Sequence, residues 1–544
     1  MQEFANQFAE TIFIQKYKHE GAETWRELCT TLVEEVCGKL MSKTSKKQLI
    51  EFMASMKFIP GGRYLYYAGR GTRFYNNCFL LRAEDDTRED WANLSWKAER
   101  CLMTGGGIGA DYSIYRPAGQ KLRRTGGLAS GPLPKMQMIN EIGRHVMQGG
   151  SRRSALYASL DWQHGDILNF INSKDWHNLN IPSTNLTYWD MKQIEFNFPA
   201  PLDMTNISVN YNDKWLKELD SSEVFKLNVR QALQTGEPGF SFNFGHKQRE
   251  TLRNACTEVC SSDDSDVCNL GSLNIAKIES LSELIDVTKL AIEFLLLGSM
   301  RAELPYAKIY KVRKKNRRLG LGLMGVHEWL IQRGYRYEVV PELHAWLAVY
   351  AEISTKAARS KAERLGITRP VATRAIAPTG TIGILAGTTT GIEPLFAVAY
   401  KRRYLKGTVW HYQHVIDSAA ANLISKYDAN PDNIECALDL AIDYERRIKF
   451  QYDVQQYVDM SISSTINLPA WGTEHNNEDK VADFAKVLAK YAQGLRGFTC
   501  YPDGARGGQP LTRVDYSEAK KQVGIEFKEH DICVISGKGG TCGV

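Results

Sequence analysis

Apolar residues recur at helical spacing in several long stretches of the chain. Between Ser45 and Met56, the residues Leu49, Ile50, Met53 and Met56 fall on one face, and Ser45 with Gln48 three positions on predicts a capping box at the helix start. Leu284, Val287, Ala291, Phe294 and Leu295 mark a second helix running to Met300. A third, Pro341 to Leu365, opens on proline and is followed by Gly366, the usual asymmetry of helix ends. Short runs of β-formers lie between such stretches: Ile207 to Val209, Leu270 to Ile275 and Gly380 to Leu385. Helical and strand periods in alternation predict an α/β architecture with parallel strands. The 544 residues leave room for roughly three or four domains of about 150 residues each. No internal repeat or low-complexity linker divides them, so one large catalytic domain is expected.

Composition narrows the class. With 43% hydrophobic and 24% charged residues, disordered, collagen-like and coiled-coil chains are excluded. Lys plus Arg is 68 against 62 Asp plus Glu, and the densest basic runs, Lys311 to Arg318 and Lys401 to Arg403, are short. No nucleic-acid partner is expected, whereas a phosphorylated small molecule needs only such local positive sites. The N-terminus lacks a basic stretch leading into an apolar core, and Glu293 interrupts the most apolar run, Leu290 to Met300, so neither leader nor membrane span is expected and the location reads as cytoplasmic. The 11 cysteines are odd in number and scattered, which fits a reduced compartment rather than a disulfide scaffold. From about Gln522 the chain turns polar, and Ser536 to Val544 holds four glycines, a tail with little to bury.

Candidate chemistry centres on Asn254-Ala-Cys256-Thr-Glu258, followed by Cys260 and Cys268. In an extended segment, alternation puts Asn254, Cys256 and Glu258 on one face. A carboxylate beside a thiol raises its pKa, which is wrong for a thiolate nucleophile but harmless for a cysteine that loses a hydrogen atom. Any single cysteine is most often a packing residue, and Cys260 reads that way. Zinc is disfavoured because no second close cysteine pair and no histidine at finger spacing follow, so no metal site is assigned. Pro378-Thr-Gly-Thr-Ile-Gly383 combines glycine, hydroxyls and the N–H groups of a following helix start, a pattern suited to an anion, while Thr388 to Thr390 reads as ordinary strand.

Asn254-x-Cys256-x-Glu258 resembles the radical-site motif of the large, catalytic subunit of ribonucleotide reductases. Collinear segments similar to that family extend from about residue 10 to 510: Ile59-Pro-Gly-Gly, Asn77-Cys78-Phe-Leu, Gly105-Gly106-Gly-Ile-Gly109, Thr125-Gly126-Gly127 with Ser130-Gly-Pro132, and Gln148-Gly-Gly-Ser-Arg152-Arg153-Ser-Ala155 leading to His164-Gly-Asp-Ile167. Gly236-Glu-Pro-Gly239, Arg318 to Gly325, Ala377 to Gly383 and Ser464-Thr-Ile-Asn-Leu-Pro469 follow in the family's order. The resemblance implies a ten-stranded β/α barrel with a central finger loop over residues 59–505, a helical region at 1–58 and a polar, glycine-rich tail at 506–544; as a departure from the family, no ATP-cone is expected, because Phe13 to Trp25 already resembles the barrel-proximal helical region. It implies that Cys256 becomes a thiyl radical that takes the ribose 3′ hydrogen, that Glu258 accepts the 3′-hydroxyl proton, that Asn254 orients substrate, and that Cys78 and Cys268 supply two electrons. By the same mapping, Pro378, Thr379, Gly380, Thr381 and Ile382 hold the substrate phosphates, and Asn77 and Gly106 border the substrate. Thr125, Gly126, Gly127, Arg152 and Arg153 belong to a specificity site for a deoxynucleoside triphosphate effector, which in most members lies at a homodimer interface. Cys533 and Cys542 are either a mobile pair passing electrons from a thioredoxin- or glutaredoxin-like reductant or part of a frayed terminus.

Subclass turns on how the radical is made. Gly497-Phe-Thr-Cys500-Tyr501 carries one tyrosine where class I enzymes have an adjacent pair, and with Ser464 to Pro469 it resembles the adenosylcobalamin-dependent class II. Arg513-Val-Asp-Tyr516 lacks the glycine of the glycyl-radical signature. The alternative is a class I-like or ancestral subunit served by a ferritin-like, metal-bearing partner.

Overall fold

Cys78–Leu81, Leu156–Asp161 and Leu319–Met324 are short runs buried almost throughout, a pattern that needs cover on both faces of a sheet. The computed structural model describes residues 4–122, 126–146, 154–195, 197–219, 222–406, 409–505 and 511–528. Its central sheet has ten strands: β1 (Phe58–Pro60), β2 (Cys78–Leu81), β3 (Gly107–Asp111), β4 (Leu156–Asp161), β5 (Thr205–Tyr211), β6 (Gly239–Phe242), β7 (Asp266–Asn274), β8 (Leu319–Met324), β9 (Thr465–Leu468) and β10 (Gly497–Pro502). Strands β2 to β6 pair in parallel, as do β7 with β8 and β9 with β10. The seams β2/β7 and β6/β10 are antiparallel, so the sheet is mixed rather than wholly parallel. The parallel strands expected from the sequence are present within each half, and the two halves run in opposite senses, with β1 also antiparallel to β7. Bridges from Leu321 to Arg374 and from Ile376 to Ile462 carry the ladder across residues 372–376, closing the sheet into a barrel.

A hairpin of Leu252–Arg253 and Cys260–Ser261 occupies the barrel interior. It passes so close to β3 that a Cβ at Gly109 would lie 1.9 Å from the Arg253 carbonyl oxygen, a gap only glycine leaves open. Arg253, fully buried, ties the hairpin down by donating to Asn243 Oδ1 at 2.7 Å, and the amide of Ser461 donates to the Glu258 carbonyl at 2.9 Å.

Helices cover the outside. Leu281–Arg301 is buried from Leu290 through Ser299 and packs on Pro341–Arg364, with Gly366 in the left-handed region just beyond. Each large apolar side chain taken out of water there contributes about 1.5–3 kcal/mol. Lys43–Ala54 forms as its apolar spacing predicts, but the cap is Ser42, whose hydroxyl accepts from the Ser45 amide at 3.1 Å; Ser45 lies one turn inside. Gly380–Ala386, expected as strand, is helical: Thr379 turns the chain at φ +53°, and Gly383 donates back to the Thr379 carbonyl. Thr388 to Thr390 are loop, not strand. Outside the barrel a four-stranded sheet joins Ala399–Lys406 and Val409–Ile416 to Leu511–Arg513 and Glu526–Lys528. Residues 511–528, polar in sequence, are thus paired strands with the helix Tyr516–Gln522. No helix among the described residues is long and apolar enough to cross a membrane.

Candidate active site

Strand register accomplishes what sequence distance conceals. Cys78 on β2 and Cys268 on β7 stand directly opposite each other across the antiparallel seam. Facing residues in such a ladder hold their Cβ atoms about 4.5–5.5 Å apart, close to the reach of a disulfide. Both are thiols here, and both are buried.

The tip of the finger hairpin lies beside them. Residues 254–258 are not extended, so alternation is not what gathers Asn254, Cys256 and Glu258. They form a turn in which the Thr257 amide donates to the Asn254 carbonyl at 3.0 Å and Thr257 itself takes φ +68°. The turn directs Asn254 and Glu258 inward, where both meet Cys78: Asn254 Nδ2 donates to Cys78 Sγ at 3.0 Å, and the thiol points to Glu258 Oε1 at 3.8 Å. Asn254 Oδ1 is held by the Val259 amide at 3.0 Å, which fixes the orientation of the side-chain amide. Cys256 stays half-exposed between its two buried neighbours.

Burial sets the electrostatics. It pushes the Cys78 thiol well above its ordinary range, with the Glu258 carboxylate adding to the effect, and burial likewise raises Cys268. Both therefore stay protonated at neutral pH, as donors of hydrogen rather than as thiolates. Burial also lifts Glu258 to about 7, partly opposed by hydrogen bonds from Asn254 and Cys78. A carboxyl poised there exchanges a proton readily near neutrality. Its second oxygen, Oε2, is buried without a hydrogen-bond partner.

These groups line a cavity of about 180 Å³. Asn77, Cys78, Asn254, Cys256 and Glu258 line it together with Pro378, Thr379, Gly380, Thr381 and Ile382. Gly380, Thr381 and Ile382 form the first turn of a helix capped by Thr379, and their amides have no intrahelical acceptor and favour an anion. Thr379 Oγ1 accepts from the Gly391 amide at 2.8 Å, so this hydroxyl also shapes its own loop. Cys268 does not line the cavity; it lies behind Cys78. Gly106 does not line it either. Its neighbours Gly105 and Gly107 do, while the missing side chain of Gly106 makes room for the Phe79 ring, 2.3 Å from where a Cβ would fall. Among the contributors that escaped the sequence reading are Tyr17, at the end of the N-terminal helix Gln7–Lys16, the buried Arg63, and Ser272 on β7. The signal available for Arg63 was a lone cation opening the otherwise aromatic and apolar run Arg63-Tyr-Leu-Tyr-Tyr67.

Gly126 and Gly127 sit apart, in an exposed hairpin between Lys121 and Leu128. Thr125, Arg152, Arg153, Cys533 and Cys542 lie outside the described residues. Among the described residues no group of three or more His, Cys, Asp or Glu side chains could hold a metal ion.

The closed ten-stranded barrel carries a cysteine-bearing hairpin past two buried, facing thiols, Cys78 and Cys268. The model of the ribonucleotide reductase barrel domain matches residues 76–364 and 351–501, and the chain belongs to that family. Similar proteins include the vitamin B12-dependent ribonucleoside-diphosphate reductases of Mycobacterium tuberculosis strain CDC 1551 (27% identical, over 92% of this chain and 78% of the relative) and of Thermoplasma acidophilum (27%, over 87% and 66%). A putative adenosylcobalamin-dependent ribonucleoside-triphosphate reductase of Mycobacterium phage D29 is 28% identical over 54% of this chain and 47% of its own. The fold is shared with the Actinobacillus ureae class Id ribonucleotide reductase alpha subunit, at a TM-score of 0.72 and 16% identity, covering 92% of this chain and 98% of that one.

Proposed function

We propose that this chain is a class II ribonucleotide reductase, converting ribonucleotides to 2′-deoxyribonucleotides with adenosylcobalamin as radical source. One observation carries the reading: Cys256, Glu258, Asn254 and Cys78 meet at one cavity, with Cys268 opposite Cys78. Adenosylcobalamin would supply the initial radical to a cysteine. The half-exposed Cys256 suits that approach, and the small residues Gly107, Ala155 and Ala255, packed together along the same wall, would leave room for a nucleoside beside it.

Cys256 Sγ, as a thiyl radical, removes the hydrogen atom from ribose C3′. Glu258 accepts the 3′-hydroxyl proton at Oε2, the oxygen that otherwise lacks a partner. The 2′-hydroxyl leaves as water with a proton from the Cys78–Cys268 pair. That pair gives up two electrons in all: its second hydrogen goes to C2′, replacing the lost hydroxyl, as the two sulfurs close to a disulfide; Glu258 returns its proton to the 3′ oxygen, and Cys256 returns its hydrogen to C3′. Asn254 holds Cys78 and the finger in register throughout. The helix start at Gly380 cradles the phosphates, with Arg63 adding positive charge to the same cavity. A thioredoxin- or glutaredoxin-like protein resets the disulfide, with Cys533 and Cys542 as carriers. An effector deoxynucleotide acts through the region of Thr125, Gly126, Gly127, Arg152 and Arg153 in a homodimer.

Purified protein given adenosylcobalamin, a dithiol and a ribonucleoside di- or triphosphate should form the deoxynucleotide. Turnover that appears only after a metal-bearing second protein is added would overturn the class II assignment.

A further inference from the structure

Thr257 separates Cys256 from Glu258, and its backbone makes the finger tip turn. Its φ of +68° is one that a β-branched residue rarely takes, whereas glycine or asparagine would occupy it at little cost. Strain of this kind persists only where the surroundings enforce it, and it gathers at functional sites. Without the turn, residues 254, 256 and 258 would share one face. With it, Asn254 and Glu258 face Cys78 while Cys256 remains half-exposed on the cavity wall.

The side chain has a seat of its own. Thr257 Oγ1 lies over Gly497, the first residue of β10, 3.8 Å from where a Cβ would stand. Ser461 Oγ is 3.0 Å from that same point, and the Ser461 amide holds the Glu258 carbonyl. Thr257 therefore stands where the finger tip meets β10 and the chain entering β9.

We propose that Thr257 is a positioning residue: its strained turn, wedged over Gly497 beside Ser461, fixes Cys256 Sγ relative to the Glu258 carboxylate, so that both act on one ribose carbon. The inference rests on the reductase reading above, but half of its test does not. Thr257→Gly and Thr257→Ser are made in the full chain, and kcat, KM, melting temperature and the iodoacetamide labelling rate of Cys256, resolved by peptide mass, are measured. Thr257→Gly should lower kcat by about tenfold to a hundredfold, leave KM within about twofold and speed Cys256 labelling by at least roughly threefold. Its melting temperature should be unchanged or higher, because glycine takes the left-handed conformation freely. Thr257→Ser, which keeps the hydroxyl, should recover most of the lost kcat. Wild-type kcat and labelling in Thr257→Gly would overturn the proposal, as would a kcat loss that only tracks a falling melting temperature with labelling unchanged. A wild-type protein that makes no deoxynucleotide at all would instead sink the reductase reading, while the labelling rates would still decide the geometry.

Discussion

The finger hairpin at residues 252–261 and the hairpin between Lys121 and Leu128 are both short excursions from barrel strands, yet opposite surroundings act on them. The finger is enclosed by the barrel: Gly109 admits its backbone, Arg253 anchors it, and Ser461 holds its tip. In the surface segment Lys121 bridges Leu128, both exposed, and a Cβ added at Gly126 would meet nothing within 4 Å. Enclosure removes water and raises the pKa of Cys78 and Glu258 together, which a solvated loop cannot do. The first setting excludes water from its side chains; the second leaves them in it.

Substitutions in the two hairpins should separate accordingly. Cys256→Ser should abolish turnover, by about a thousandfold or more, while nucleotide binding measured by calorimetry stays near wild type; residual turnover would refute the radical role. Glu258→Gln should lower kcat by about a hundredfold to ten-thousandfold. In the wild type, kcat/KM should rise with pH through about 7, as Glu258 ionises to become a base, and that limb should vanish in Glu258→Gln.

Stability should show the same group with the opposite sign. Because folding raises this carboxyl from its ordinary 4.5 to about 7, the folded state binds more protons in that interval. Resistance to urea should therefore fall as pH rises from about 4.5 to about 7, and the contribution should be missing in Glu258→Gln. Gly109→Ala comes next: it drives a methyl into the Arg253 carbonyl, and a loss of about 1–3 kcal/mol with displacement of the finger and of activity is expected in denaturant melts and assays. The smallest effect belongs to Gly126→Ala, which costs only the left-handed backbone at φ +70°, about 1–2 kcal/mol, and should leave basal turnover intact. If Gly126→Ala damages basal catalysis as much as Gly109→Ala, the contrast between the hairpins is wrong.

Much of this was legible in the chain before folding. Apolar spacing marks Leu281–Arg301 and Pro341–Arg364 within a few residues, because long amphipathic periods leave one stable solution. The order of motifs selects the family and points to the thiols. Local propensity failed at Gly380–Leu385, where β-branched residues suggested a strand but Thr379 and small side chains allow a tight helix. It failed again at Ser45, since capping depends on which hydroxyl meets the first free amide, and Ser42 does.

By itself the sequence determined which residues are available to the site: a cysteine between an asparagine and a glutamate, two further cysteines, and a glycine–threonine turn. Only the tertiary structure decided how those parts meet. The β2/β7 register sets Cys78 against Cys268, the left-handed Thr257 splits Cys256 from Glu258, and tertiary packing brings Tyr17, at the end of the N-terminal helix, and Arg63, just after β1, to the cavity. Pairing across a seam and a reversal at one residue depend on contacts between segments distant in sequence, and no local pattern encodes them.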